Sequence, residues 1–173
     1  MKRILMVIAP RDFRDEELFE PKEIFEKGGH SVTVASTKTG TIKGMLGGTT
    51  TSSASIDKID MKDYDGLIFV GGMGAEELFE NRHAHKLAKD ASTSAKPVGA
   101  ICIAPSILAK SGILKGKNAT VWAGEKYKKI LKESGAILKD DDVVRDGKIV
   151  TANGPKSAKK FATTFLTLLG DMK

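Results

Sequence analysis

Three short runs of apolar residues constrain this chain most: ILMVIA (Ile4 to Ala9), GLIFV (Gly66 to Val70) and VGAIC (Val98 to Cys102). Each has the length of a strand, and none shows the polar alternation of a strand with one wet face. They read as strands buried on both sides. Between the first run and the alternating HSVTVA (His30 to Ala35) lies RDEELFEPKEIFEKGG, which places Leu18, Ile24 and Phe25 near helical spacing and stops at Gly28 and Gly29. Strand, helix and strand in so short a span make a βαβ unit, and a βαβ crossover implies a parallel sheet.

The alternation continues to the end of the chain. The Gly, Ser and Thr-rich stretch from Thr39 to Ser55 predicts turns and short strands, and GAEELFENRHAHKLAKDASTSA predicts a helix. PSILAKSGIL starts another helix directly after Cys102, followed by a short strand in NATVWA and a helix in KYKKILKESGA. VVRDGKIVTANGP holds a hairpin-like RDGK turn and a strand, and SAKKFATTFLTLLG closes the chain as an amphipathic helix. No tandem repeat or linker interrupts the series, so residues 1–173 read as a single doubly wound α/β domain.

Composition removes several function classes. No apolar run approaches the roughly 20 residues of a spanning helix, so no membrane partner is expected. The start MKRILMVIAPRDF lacks a small-residue cleavage site after its apolar run, so a signal peptide is not expected. One cysteine cannot form an internal disulfide, which fits a reducing, cytoplasmic setting. The net charge of +6 raises the question of nucleic acid, but the lysines of EKYKKILKE and KSAKK read as solvated helix faces. Without zinc-finger spacing, an RNP-like aromatic motif or a long basic run, no specific nucleic-acid partner is expected.

The single cysteine lies in GAICIAP (Gly99 to Pro105). A lone cysteine can be simply a small buried hydrophobe. Here Cys102 ends a strand, where open α/β sheets place their ligand crevice, and Pro105 suits the first turn of a helix. That is the layout of a nucleophile elbow, with Ala100 and Ala104 leaving room for the side chain. A helix N-terminus behind the sulfur favours thiolate over thiol.

Two other stretches end at the same crevice. In RDFRDEELFEP, most of the acidic run serves a helix N-terminus, but Glu17 is placed either to face solvent or to point back and share a proton with Cys102. Gly71 and Gly72 allow a close backbone approach, and the Gly72 and Ile103 amides together can form an oxyanion hole; the alternative is a plain tight turn. A dinucleotide loop fits poorly, because Glu76 and Glu77 follow Gly72-Met73-Gly74 and APRDF stands where the glycine fingerprint belongs. The only histidines are His30, His83 and His85. His83 and His85 share no helical face and read as surface residues, so no metal site is expected. No histidine follows Cys102 later in the chain, which excludes a Cys-His-Glu triad of that order.

The combination of AIC before a helix, GG at the end of the preceding strand, EELFEP after the first strand and GP after the last resembles the DJ-1/ThiJ/PfpI superfamily, in order and over nearly the whole chain. The resemblance implies a flavodoxin-like α/β sandwich, a mostly parallel sheet with helices on both faces, assembled as a homodimer or a set of dimers and needing no cofactor. It makes Cys102 the elbow nucleophile, Glu17 its protonated carboxyl partner, and Gly72 and Ile103 the backbone donors. Trp122 stands where several relatives carry histidine or tyrosine, and Gly154 and Pro155, after Asn153, match a loop lining the same pocket.

Members of the superfamily include cysteine peptidases, cofactor-independent glyoxalases, deglycases, chaperones and oxidative-stress sensors. The peptidase branch carries histidine directly after the cysteine, completed by a glutamate from a neighbouring subunit. This chain has Ile103 there, and Glu76, near the matching glutamate, lacks that histidine. A Cys/Glu pair suits a small carbonyl substrate, so the expected activity is on 2-oxoaldehydes or their adducts. A peptidase and a non-enzymatic redox sensor or chaperone remain the alternatives.

Overall fold

The three apolar runs become neighbouring strands at the centre of one sheet. The computed structural model describes residues 1–170, so the last three residues of the expected 1–173 domain lie outside the described residues. In chain order the elements are β1 (Arg3–Val7), α1 (Asp15–Lys27), β2 (Ser31–Ser36), the hairpin β3 (Gly40–Lys43) and β4 (Thr49–Ser52), β5 (Ala54–Ser55), β6 (Gly66–Phe69), α2 (Arg82–Thr93), β7 (Val98–Ile101) and α3 (Pro105–Ser111). There follow β8 (Asn118–Ala119), α4 (Glu125–Glu133), β9 (Ile137–Leu138), β10 (Val143–Asp146), β11 (Ile149–Ala152) and α5 (Ala158–Gly170).

The main sheet has the order β10-β11-β7-β6-β1-β2-β5. All its pairs are parallel except β10 with β11, whose turn passes through Gly147 at a left-handed φ of 60°. After β1 the chain winds outward to β2, then returns past β1 to β6, β7 and β11, which is the flavodoxin-like order. Leu5 pairs with Leu67, Ile68 with Gly99 and Ala100 with Thr151, so β1, β6, β7 and β11 end level with one another. Their loops share one crevice, at the point where the strand order reverses.

Helices cover both faces, with α1 packed on α5 and α2 on α3. Two glycines make room for the aromatic rings of α5. A side chain on Gly66 would begin 2.8 Å from Phe165 Cζ, and one on Gly99 would begin 2.7 Å from Phe161 Cζ. Ile4 to Val7, Leu67 to Val70 and Val98 are fully buried. Burying each large aliphatic side chain is worth about 1.5–3 kcal/mol, so this central stack drives the fold.

Two elements differ from the sequence expectation. The helix expected across Gly74 to Ala95 is divided: a 3-10 helix runs from Met73 to Leu78, and α2 starts at Arg82. Asn81 makes the break, because its side chain accepts from the N–H groups of His83 and Ala84 and caps the new helix. The strand expected in NATVWA stops at Ala119, because the Thr120 N–H is captured by Thr151 Oγ1 at 3.0 Å. The chain then leaves the small β8–β9 pair and crosses over Cys102.

Candidate active site

Cys102 takes φ = 65°, the left-handed region that non-glycine residues rarely enter. Its backbone is clamped from both sides: its N–H donates to Ala152 O at 2.9 Å, and its carbonyl accepts from Trp122 N–H at 2.8 Å. These bonds hold the bend that β7 makes before α3 starts at Pro105. The side chain stands at the crevice with only 8 % of the residue exposed.

Glu17 comes to this position from the first turn of α1 and is fully buried. A side chain on Gly71 would begin 2.5 Å from Glu17 Oε1, 2.5 Å from Cys102 Cβ and 2.7 Å from Ile101 O. Glycine at 71 is therefore what lets the carboxyl and the cysteine share one space. Gly72 has φ = 105°, and its Cα lies against the backbone of Asp12 to Arg14, while Arg14 N–H donates to Gly71 O at 2.9 Å. The loops after β1 and β6 are thus pinned together beneath the sulfur.

Burial is the main force on both titrating groups. Neither Glu17 oxygen has a hydrogen bond of normal geometry; the Cys102 thiol, the Arg14 charge and the Gly71 N–H face them and favour the carboxylate. Desolvation outweighs these and pushes the Glu17 carboxyl up to about 8, so it carries a proton at neutral pH. The thiol is pushed up to about 12, by burial first and by a negative charge on Glu17 second. The Gly72 and Ile103 N–H groups point at the sulfur and pull the other way. The lowered thiol expected from the helix N-terminus is corrected on this point, since desolvation in a nearly closed pocket exceeds the pull of a short helix and two amides. Proton loss belongs to the Cys102/Glu17 pair as a unit.

The cleft above the sulfur has a volume of about 130 Å³ and is lined by Arg14, Met45, Gly72, Met73, Cys102, Ile103, Trp122, Tyr127 and Pro155. Trp122, Arg14 and Pro155 also border an adjoining cavity of about 480 Å³ that includes Asn153 and Gly154. The Trp122 indole lies against the Gly154 backbone, because a side chain there would begin 2.9 Å from Trp122 Cζ3. Cys102, Glu17, Gly72, Ile103, Trp122, Gly154 and Pro155 thus come together in one region, with Gly154 behind the tryptophan rather than in the cleft itself.

Four lining residues had no signal in the sequence. Met45 arrives from the tip of the β3–β4 hairpin, where Asp15 accepts from Leu46 N–H at 2.9 Å and Gly48 N–H at 2.7 Å. Its sulfur accepts from Met73 N–H at 3.3 Å, joining two rims of the cleft. Arg14 is held by Glu16 through Nε and Nη2. Tyr127 comes from α4, inside a stretch that reads locally as a solvated face. The histidines stay away from the cleft lining: His30 Nδ1 accepts from Lys2 N–H, and half-buried His85 meets Phe79 O through Nε2. Among the described residues, no three His, Cys, Asp or Glu side chains gather as a metal site, and no helix is long and apolar enough to cross a membrane.

The model of the DJ-1/PfpI family matches residues 2–168. The chain belongs to this family. It is 45% identical over 165 residues to an uncharacterised protein of Methanocaldococcus jannaschii, covering 95% of this chain and 80% of that one. It is 30% identical to the protein named Deglycase PfpI of Pyrococcus furiosus, covering 95% of this chain and 98% of that one. Among solved structures, the ThiJ/PfpI domain protein of Brachyspira murdochii superposes with a TM-score of 0.95 at 35% identity, covering 99% of this chain and 98% of that one. The flavodoxin-like architecture is thus that of the DJ-1/PfpI family, and the elbow, buried glutamate and double glycine occupy its sheet crevice.

Proposed function

We propose that this protein is a cofactor-independent, cysteine-dependent enzyme of stress protection, acting on small 2-oxoaldehydes or their adducts, with Cys102 as nucleophile and Glu17 as acid and base. The observation that carries the reading is the Cys102/Glu17 pair, packed across Gly71 at the base of a cleft with no histidine in its wall. The name deglycase borne by the Pyrococcus furiosus relative supports the substrate class. A cleft of about 130 Å³ suits a three-carbon carbonyl better than a peptide.

In this reading the reacting form is the pair that has lost one proton, with thiolate at Cys102 and carboxylic acid at Glu17. The sulfur bonds to the aldehyde carbon, the carbonyl π pair moves onto oxygen beside the Gly72 and Ile103 amides, and that oxygen takes the Glu17 proton to complete a hemithioacetal. Glu17, now a carboxylate, takes the proton from the former aldehyde carbon and returns it to the neighbouring carbon, while the hydroxyl proton passes from the oxygen of the first carbon to that of the second. The first carbon is oxidised and the second reduced, so no external redox partner is needed. Water then cleaves the resulting thioester, releasing a 2-hydroxy acid and the free thiol.

The peptidase reading is disfavoured by two residues. Ile103 stands where that branch needs histidine, and Glu76 is bound within its own chain by Tyr127 and Lys126. A homodimer or an assembly of dimers in the cytoplasm belongs to the same proposal, supported by exposed Met45, Leu46 and Met73 beside the cleft and by a free thiol suited to a reducing compartment. Light scattering in solution tests the assembly. The activity is tested by methylglyoxal loss and lactate formation with wild-type protein beside Cys102→Ala. Turnover abolished in the variant supports the reading; no turnover in either protein overturns it.

A further inference from the structure

Tyr127 lies in a lysine-rich helical stretch, yet it turns inward and forms part of the cleft wall. Its ring is held on three sides. A side chain on Gly124 would begin 2.9 Å from Tyr127 Cδ2, so the ring rests on the Gly124 backbone. Phe79 meets it edge-on, with centroids 6.1 Å apart and planes at 88°. The hydroxyl donates to Glu76 Oε2 at 2.9 Å, and the other oxygen of Glu76 is ion-paired to Lys126. The Lys126 ammonium also stands 5.8 Å from the centroid of the tyrosine ring.

This arrangement decides what the phenol offers the cleft. Lys126 and Tyr127 both hold the Glu76 carboxyl below its usual range, so it is a firm acceptor and a poor base. The phenolic proton is committed to it. Towards the cleft, Tyr127 therefore presents an oxygen lone pair and no donor. Tyr127 and Cys102 line the same cleft.

A free aldehyde carries only acceptors at its reacting end and has nothing to give this lone pair. Addition of the thiol changes that. The sulfur–carbon bond forms, the carbonyl π pair moves to oxygen, and the proton from the Cys102/Glu17 pair ends there as a new O–H. We propose that Tyr127 is a specificity-determining residue that accepts a hydrogen bond from this newly made hydroxyl, with Glu76 as its positioning residue. The site thereby binds the covalent adduct more tightly than the free carbonyl, which is the differential binding that favours reaction. The inference rests on the carbonyl reading for the class of electrophile, but not on turnover.

The test measures reversible adduct formation directly. Propanal, which is an aldehyde without a second carbonyl, is used to protect Cys102 from iodoacetamide in wild type, Tyr127→Phe, Glu76→Ala and Glu76→Gln, each in the full chain. In Tyr127→Phe the dissociation constant for propanal rises about five- to tenfold, as expected for one lost hydrogen bond. Alkylation without aldehyde stays within about twofold of wild type, a readout that a merely structural loss would move. Glu76→Ala weakens protection in the same direction, and Glu76→Gln, which still accepts the phenolic proton, restores it. Equal protection in wild type and Tyr127→Phe overturns the inference, as does a loss matched by slower alkylation without aldehyde. Absent methylglyoxal turnover with Tyr127-dependent propanal protection would defeat the proposed activity alone.

Discussion

Glu17 and Cys102 meet across Gly71, whose missing side chain is the space they share. Substituting Gly71→Ala puts a methyl group 2.5 Å from both Glu17 Oε1 and Cys102 Cβ, in a core with no slack. The expected cost is about 1–3 kcal/mol from overpacking, together with at least a tenfold change in iodoacetamide reactivity. Urea denaturation and a timed alkylation check the two effects. A variant with unchanged stability would mean that the pair is not packed against this glycine.

Burial of Glu17 also sets a pH dependence with a definite sign. Its carboxyl is raised from an ordinary 4.5 to about 8, so between these values the native state binds more protons than the unfolded chain. Stability from this group is fully present below 4.5 and is lost as pH rises through about 8, with a slope of at most about 1.4 kcal/mol per pH unit. Glu17→Gln flattens that part of the stability curve. The same substitution removes the negative charge that Glu17 carries above about pH 8 and that opposes thiolate, so Cys102 alkylation above pH 8 is faster in the variant than in wild type. Denaturant midpoints from pH 4 to 9 decide the first point, and alkylation rates over the same range decide the second.

The left-handed backbone at Cys102 predicts an unusual ranking of variants. Cys102→Ala keeps the strain of φ = 65°, whereas Cys102→Gly relieves it. Both lose the thiol and most of its packing. Cys102→Gly is therefore expected to be the more stable of the two by about 1 kcal/mol, against the usual order of these residues. Thermal melts of the pair suffice, and a more stable alanine variant would count against strain at the elbow.

Asp15 anchors the hairpin that delivers Met45 to the cleft, through two N–H groups at 2.7 and 2.9 Å. Asp15→Ala leaves both donors without that carboxylate and is expected to destabilise by about 1–3 kcal/mol. It also loosens the Met45 wall, raising KM for methylglyoxal severalfold while kcat changes little. Asp15→Asn retains one acceptor and falls between. Amide exchange at Leu46 and Gly48 provides a local readout that does not depend on activity.

Much of this architecture is encoded over short distances along the chain. Apolar runs of strand length, glycine stops and a proline after Cys102 specify buried strands, a parallel sheet and the bend between strand and helix, because periodicity and turn chemistry act over a few residues. The same local logic brings Glu17, Gly72 and Ile103 to the crevice, since each follows the carboxyl end of a sheet strand. What tertiary structure decided is of two kinds. Asn81 and Thr151 redirected segments whose own pattern favoured a longer helix and a longer strand, by capturing specific N–H groups. Convergence and desolvation set the rest: Met45, Arg14 and Tyr127 come to the cleft from three separate elements, and the Tyr127–Glu76 bond spans 51 residues. The protonation of Cys102 and Glu17 has the same origin. A helix N-terminus in sequence promises a thiolate, but the exclusion of water that raises both groups exists only once every strand and loop has closed around them.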